Sequence, residues 1–256
     1  MPDLLFSFAK ILYNHCFPAY KVFYFAYKKW TDREMIRYFN QNISPNAVIL
    51  DVGANIGFFT LLFSKLAGNG GMVIAFEPDE KNFSKLAVHT KNKRNIRIHP
   101  FAVHHSTVNI LLYLSSWRNF DHMTYDIGEN RKTVSIPAVN MDDFMERNYP
   151  GLTVDVIKID IQGSDYFAFQ GMSETIKKSR NVILCWEFWP YGLEKALVKP
   201  VDYYNALLQA GFKVEFIPPL PVSEIIARTN DYDFYLNFIA TMAEGEQRQS
   251  TGFTGS

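Results

Sequence analysis

Between about residue 43 and residue 240, short continuous apolar runs alternate with longer stretches of helical spacing. Val48 to Asp51 and Met72 to Phe76 (MVIAF) have the unbroken apolar character of strands buried on both faces. Between them a helical run starts at Ile56 and continues through Phe59, Leu62, Phe63 and Leu66, with Gly70 and Gly71 closing it. Asp79 opens a second helix whose apolar face is Phe83, Leu86, Ala87 and Thr90, and a third strand is predicted over Ile96 to Ala102. This alternation, with right-handed crossovers, builds one half of a parallel, doubly wound sheet.

The next stretch breaks the rhythm. Thr107 to Leu114 and Thr133 to Ala138 are strand-like and predict an inserted hairpin within about residues 103–139. The polar and aromatic segment between them holds Trp117, Phe120, His122 and Tyr125, which reads as a lid over an acceptor, with disorder as the alternative. A short helix begins at Asp142, Asp143 and Phe144, before a fourth strand over Val154 to Asp160. Gly163 turns the chain, Ser164 is placed to cap a helix from Asp165, Gly171 interrupts it, and Ser173 starts another. The fifth strand, Val182 to Phe188, carries Glu187 near its end and runs into Trp189, Pro190 and Tyr191, the mouth of a pocket. A helix over Asp202 to Ala210 and strands at Lys213 to Ile217 and Asp233 to Ala240 follow, with Pro218, Pro219 and Pro221 in the loop between.

Three regions result: an aromatic-rich helical extension (1–42), one α/β domain (43–240) and a polar, glycine-rich tail (241–256) expected to be disordered. Pro18 divides the first thirty residues into two helices, and Thr31 is the expected N-cap of a third from Asp32 to Phe39. Those helices are expected to pack over the sheet or the cofactor cleft. Their aromatic rings with Lys21, Lys28 and Lys29 also suit an interfacial surface in peripheral contact with a membrane.

At 256 residues the chain is long enough for one large core, and 48% apolar content is that of a globular protein. Zero formal net charge gives no electrostatic footprint for nucleic acid, and no signal for oligomeric state is visible. Cys16 and Cys185 are far apart in apolar surroundings and read as buried thiols in a reducing, cytoplasmic setting. The start, with Asp3 and Lys10, lacks the form of a signal peptide, and no apolar run reaches the length of a membrane span.

The chemistry begins at VILDVGANIGFFT, a strand, a glycine turn and a helix that form a nucleotide-cradling unit. Gly53 permits positive φ, and Gly57 permits close packing of helix on strand. Asn55 stands where a dinucleotide fingerprint has its second glycine; Asn tolerates left-handed angles, but a pyrophosphate would meet its side chain. Asp51 would repel a phosphate, so a ligand with a nucleoside and a cationic end suits the turn, as S-adenosylmethionine does. NAD is disfavoured on the same grounds. Glu77, followed by Pro78, ends the second strand at the distance where a carboxylate accepts from both ribose hydroxyls; capping the next helix is its bland alternative.

DVGANIG, AFEPDEKNF, NKRNIRIHPFAV and VDVIKIDIQGSD together resemble the FkbM-type, S-adenosylmethionine-dependent methyltransferases, over roughly Ile43 to Phe188. The resemblance implies a Rossmann-like class I methyltransferase fold, a mostly parallel seven-stranded sheet whose final strand inserts antiparallel. It also implies a sugar- or polyketide-type hydroxyl acceptor. The family usually has Glu where this chain has Gln162.

Methyl transfer to an alcohol needs an aligned oxygen and a base for its proton. Asp160 is the first choice, at a strand end beside the cofactor turn. Glu187, Asp165 and the pair His104–His105 are the other candidates, and adjacent histidines on a strand end point opposite ways, so at most one faces the cleft. Pairing of Glu187 with a Lys or Arg is its bland alternative. The histidines show no metal-ligand spacing, and no metal is required. The N-methylating signature of Asn or Asp, two prolines and an aromatic is absent after the fourth strand, which favours oxygen. Two functions stand: an O-methyltransferase of a small molecule or glycan, and a catalytically silent binding or membrane-docking protein supported by Gln162 and the aromatic N-terminus.

Overall fold

The computed structural model describes residues 2–115, 122–127, 130–179 and 181–242, with side chains from residue 9 onward. Trp117, Phe120 and the tail beyond 242 lie outside the described residues. Three helices lead the chain: α1 (Pro2–His15), α2 (Phe17–Thr31) and α3 (Arg33–Asn42). Pro18 occupies the first turn of α2, where its missing N–H costs nothing. Thr31 does not cap α3: its hydroxyl donates back to the Tyr27 and Lys28 carbonyls, and Asp32 takes the cap position while its carboxylate pairs with Lys28. Cys16, between α1 and α2, is exposed and not buried, because the break between helices turns it to solvent.

The domain then runs β1 (Val48–Val52), α4 (Phe58–Ala67), β2 (Met72–Phe76), α5 (Glu80–Thr90) and β3 (Ile96–His99). The predicted third strand is too long: Pro100 ends β3, and β4 (Ala102–Val103) belongs to a second sheet with β5 (Val108–Leu114) and β6 (Lys132–Val139). β5 and β6 form the inserted antiparallel hairpin. α4 starts two residues later than its apolar run suggests, because Gly57 is left-handed, and it ends at Gly68 rather than at Gly70 and Gly71.

The second half comprises α6 (Met141–Asn148), β7 (Val156–Ile159), α7 (Asp165–Gln170), α8 (Ser173–Lys178), β8 (Ile183–Phe188), α9 (Pro190–Lys195), α10 (Pro200–Gln209), β9 (Phe212–Ile217), α11 (Val222–Ile226) and β10 (Leu236–Met242). The main sheet has seven strands in the order β3-β2-β1-β7-β8-β10-β9, parallel except for β10, which is antiparallel to both neighbours. Alternate strand residues feed two cores. Leu50, Val52, Ile157, Trp186 and Phe188 face the side of α6, α7 and α10, while Ile49, Val73, Val156 and Cys185 pack on Phe39, Phe59 and Phe63 of α3 and α4. The sheet therefore presents the carboxyl ends of β1, β2, β7 and β8 at one rim, the place where open α/β sheets bind ligands.

Candidate active site

The β1–α4 turn has three consecutive devices. Gly53 sits at φ +79°, and a Cβ there would lie 2.1 Å from the Asp160 carbonyl oxygen, so β1 and the end of β7 cross too closely for any side chain. Asn55 adopts φ +51°, and its Oδ1 accepts from the Ile56 N–H at 2.7 Å. Gly57 sits at φ +92°, and its missing Cβ makes room for Leu86 of α5, a helix–helix approach rather than the expected helix–strand one.

Every amide of this turn is already bonded. Gly53 and Ala54 donate to the Phe76 carbonyl, Asn55 to Glu77, Ile56 to Asn55 and Gly57 to Ala54. No ring of spare N–H groups is left to hold a phosphate.

Glu77 is 5% exposed and accepts from the Asn55 N–H at 2.7 Å and the Asp79 N–H at 2.9 Å. Burial raises its carboxyl to about 7 against the pull of those two amides. Asp79, not Glu77, caps α5, through the Asn82 N–H. Glu77 thus clamps the turn while one edge faces a cavity of about 250 Å³, beside Pro78, Phe101, Leu112 and His122. His122 comes from the segment after β5, and its Nδ1 accepts from the Ser115 N–H at 3.0 Å.

Beneath the turn lies a charged floor. Asp51 is fully buried, takes the Thr60 hydroxyl at 2.6 Å and faces Lys158 Nζ at 3.4 Å. Lys158 also reaches the Gly53 carbonyl at 3.2 Å and Asp160 at 3.6 Å. Gln162, itself at φ +56°, donates from Nε2 to Asp160 Oδ1 at 3.3 Å, while Tyr125 donates to its carbonyl at 2.6 Å. Burial works against the Asp160 charge, but Lys158 and Lys28 outweigh it and hold its carboxyl below the usual range. Burial and the Asp160 charge push Glu187 well above its usual range. Asp165 rises to about 7, from burial and again from Asp160, and accepts from the Ile161 and Gly163 N–H groups. Ser164 does not cap α7; its hydroxyl bonds Thr124 instead.

Helix α2 crosses above this floor. Tyr24, Tyr27, Lys28 and Asp32 line the cavity, and Lys28 stands 5.4 Å from the centre of the Phe59 ring. Trp189, Tyr232, Tyr235 and Asn237 close the side nearest Glu187.

Of the residues singled out in the sequence, Gly53, Asn55, Glu77, Pro78, Asp160 and Glu187 line the cavity, and Asp51, Gly57 and His104 do not. Asp51 points under the turn to Lys158. His104 follows β4, in the second sheet, where its ring lies 4.0 Å from His105 and 5.4 Å from Phe167; the two histidine rings pack on one side together rather than on opposite sides. Burial, with His105 beside it, lowers His104 to about 4. Trp189 lines the mouth, while Tyr191 stands behind it against Tyr232. Sequence reasoning missed Lys158, and it placed Lys28 on an interfacial surface and Asp32 at a helix start rather than at the cavity that both line. Lys158 left a signal, a lysine inside the buried run VDVIKID, which demands an anionic partner. Among the described residues, no group of three or more His, Cys, Asp or Glu is placed to hold a metal ion, and no helix is long and apolar enough to cross a membrane.

The methyltransferase FkbM domain matches residues 51–214, more than half of the chain. No curated protein matches the sequence. The structure is similar to a protein from Clostridium thermocellum assigned as an rRNA methylase (14% identity, TM-score 0.52), covering 83% of this chain and 96% of that one. It is also similar to the Streptococcus mutans protein SMU.1697c, assigned as a methyltransferase and solved with S-adenosylhomocysteine (13% identity, TM-score 0.50), covering 82% and 97%. These likenesses establish the class I methyltransferase fold. The chain belongs to the FkbM methyltransferase family, and its cofactor is S-adenosylmethionine.

Proposed function

We propose that the protein methylates a hydroxyl oxygen of a small molecule or glycan, with Asp160 taking the proton. The cofactor supplies a methyl group on a sulfonium, ready for in-line displacement. The chain's residues suit that cationic nucleoside. The satisfied amides of the turn offer a phosphate nothing, Glu77 presents a carboxylate edge to a ribose diol, and Asp160 supplies negative charge on the cationic side.

One observation carries the reading: two carboxyl groups that their surroundings push in opposite directions face the same cavity. Asp160 is held ionised by Lys158 and Lys28, so it can receive a proton. Glu187 is pushed the other way, toward the protonated form, which can donate a hydrogen bond to the acceptor and fix its orientation. Gln162 adds a neutral donor to Asp160 and leaves its charge intact. The aromatic wall of Tyr24, Tyr27, Trp189, Tyr232 and Tyr235 offers flat faces to a sugar ring.

Gln162 also favours a second reading, a catalytically silent member that keeps the cofactor site for binding alone. Incubation with isotopically labelled S-adenosylmethionine and a broad panel of hydroxylated acceptors, followed by mass spectrometry, separates the two. A labelled O-methyl product supports the enzyme; tight cofactor binding with no labelled product from any acceptor moves the assignment to the silent protein.

A further inference from the structure

Helix α2 carries apolar rings both on its packed side and on the exposed side next to it. Tyr20, Tyr24 and Phe25 turn inward, packing with Ile56 and, through Phe25, edge-on against Phe58 of α4 at 5.1 Å. Phe23, Tyr27 and Trp30 turn outward at i, i+4 and i+7, flanked by Val22, and are 46–68% exposed. Among the described residues the packed side is covered and the stripe of Phe23, Tyr27 and Trp30 is left exposed.

The charge around the open face selects its partner. Helix α2 contains no acidic residue, and of its three lysines Lys29 is exposed, whereas Lys28 pairs with Asp32 at the cavity wall and Lys21 lies over the Phe25 ring. Exposed Lys29 borders the stripe, and exposed Arg33 and Arg37 continue the basic side onto α3, with Glu34 beside Arg33. Tryptophan and tyrosine next to basic side chains form the composition that settles at the headgroup level of a bilayer, not one that spans it. We propose that the outer face of α2 docks on an anionic phospholipid bilayer.

The placement of Tyr27 joins this surface to the active site, because it belongs both to the stripe and to the cavity wall. Docking sets the cavity mouth against the headgroups, so the acceptor hydroxyl belongs to a molecule carried at the membrane. The acceptor's location rests on the methyl-transfer reading; the docking does not.

Flotation of the full chain with vesicles of phosphatidylglycerol and phosphatidylcholine tests the surface, against vesicles of phosphatidylcholine alone. Binding to the anionic vesicles that weakens as salt rises is expected. F23S/W30S is expected to lose about tenfold or more of that binding, since both rings leave the interface, and K29E to lose a smaller share. Both variants change exposed side chains outside the cavity, and the melting shift given by S-adenosylhomocysteine is expected to be the same as in the wild type, which reports on the cofactor site separately. Quenching of tryptophan emission by brominated phosphatidylglycerol, lost in W30F, reads Trp30 contact in the otherwise intact chain. No binding to anionic vesicles at low salt overturns the proposal. So does a concentration-dependent dimer that F23S/W30S dissolves, because the stripe then covers a second copy.

Discussion

Replacing Glu77 with Gln is the sharpest probe of the cofactor site. The carboxylate accepts from two backbone amides, Asn55 N–H and Asp79 N–H. A glutamine can accept one of them with its oxygen and must set its own NH2 against the other, so one buried donor is left without a partner. On the proposed ribose role, the same change also removes a charged acceptor, and hydrogen bonds to a charged group contribute about 1.5–3 kcal/mol, roughly tenfold to more than a hundredfold in Kd. The wild-type carboxyl is raised from 4.5 to about 7, a difference that corresponds to about 3 kcal/mol. Because the folded state favours the protonated form, this stability is full below about pH 4.5 and is lost as pH rises to about 7. Ligand binding runs the other way. If the ionised form holds the ribose, the affinity of S-adenosylhomocysteine rises with pH, by up to about tenfold per unit until pH 7. Calorimetric titration of wild type and Glu77→Gln from pH 5.5 to 8.5 reads both effects. Asp165, raised to about 7, is present in both proteins, so the difference between the two curves isolates Glu77. A variant that binds with wild-type Kd and the wild-type pH slope would remove Glu77 from the ribose.

Other outcomes follow from the same geometry. Asp160→Asn is expected to leave S-adenosylhomocysteine affinity nearly intact and to cut turnover by about 10² to 10⁴, whereas Glu187→Gln, which keeps a neutral donor, costs less; the reverse order in steady-state assays would exchange their roles. Lys158→Met strands the buried Asp51 carboxylate and is expected to cost about 3–5 kcal/mol in urea unfolding, with the D51N/K158M pair recovering part of it. Gly53→Ala combines a left-handed φ with a Cβ 2.1 Å from the Asp160 carbonyl, so unfolding midpoints should drop steeply; an unchanged midpoint would mean that the two strand ends separate freely.

The fold was readable where local pattern and tertiary role coincide. MVIAF gives β2 with the same ends in sequence and structure, because it is buried on both faces and bounded by glycines and Glu77-Pro78. Ile96 to Ala102 was not readable as two strands, since apolar pattern says that residues are buried but not in which sheet; Pro100 marks the transfer only in retrospect. Glu77, Asp160 and Glu187 were legible as carboxylates at strand ends, a position with chemical meaning in this fold. Asp51 looked like a ligand group by the same rule, yet Lys158 captures it from the neighbouring strand, a pairing across 107 residues that no local window contains. Lys28 and Asp32 reach the cavity only because α2 crosses the rim, and helix placement is set by packing, not by helix propensity.

The antiparallel strand β10 has a consequence for the order in which the chain can take shape. It lies between β8 and β9 in the sheet but follows both in the chain. During synthesis β9 emerges before β10, its one sheet neighbour among the described residues. The pairing that sets Asn237 opposite Glu187 is likewise among the last to become available. The strands around the β1–α4 turn, β1, β2 and β7, all precede β10 in the chain, so that rim of the cavity is synthesised before Tyr235 and Asn237 can close its other side.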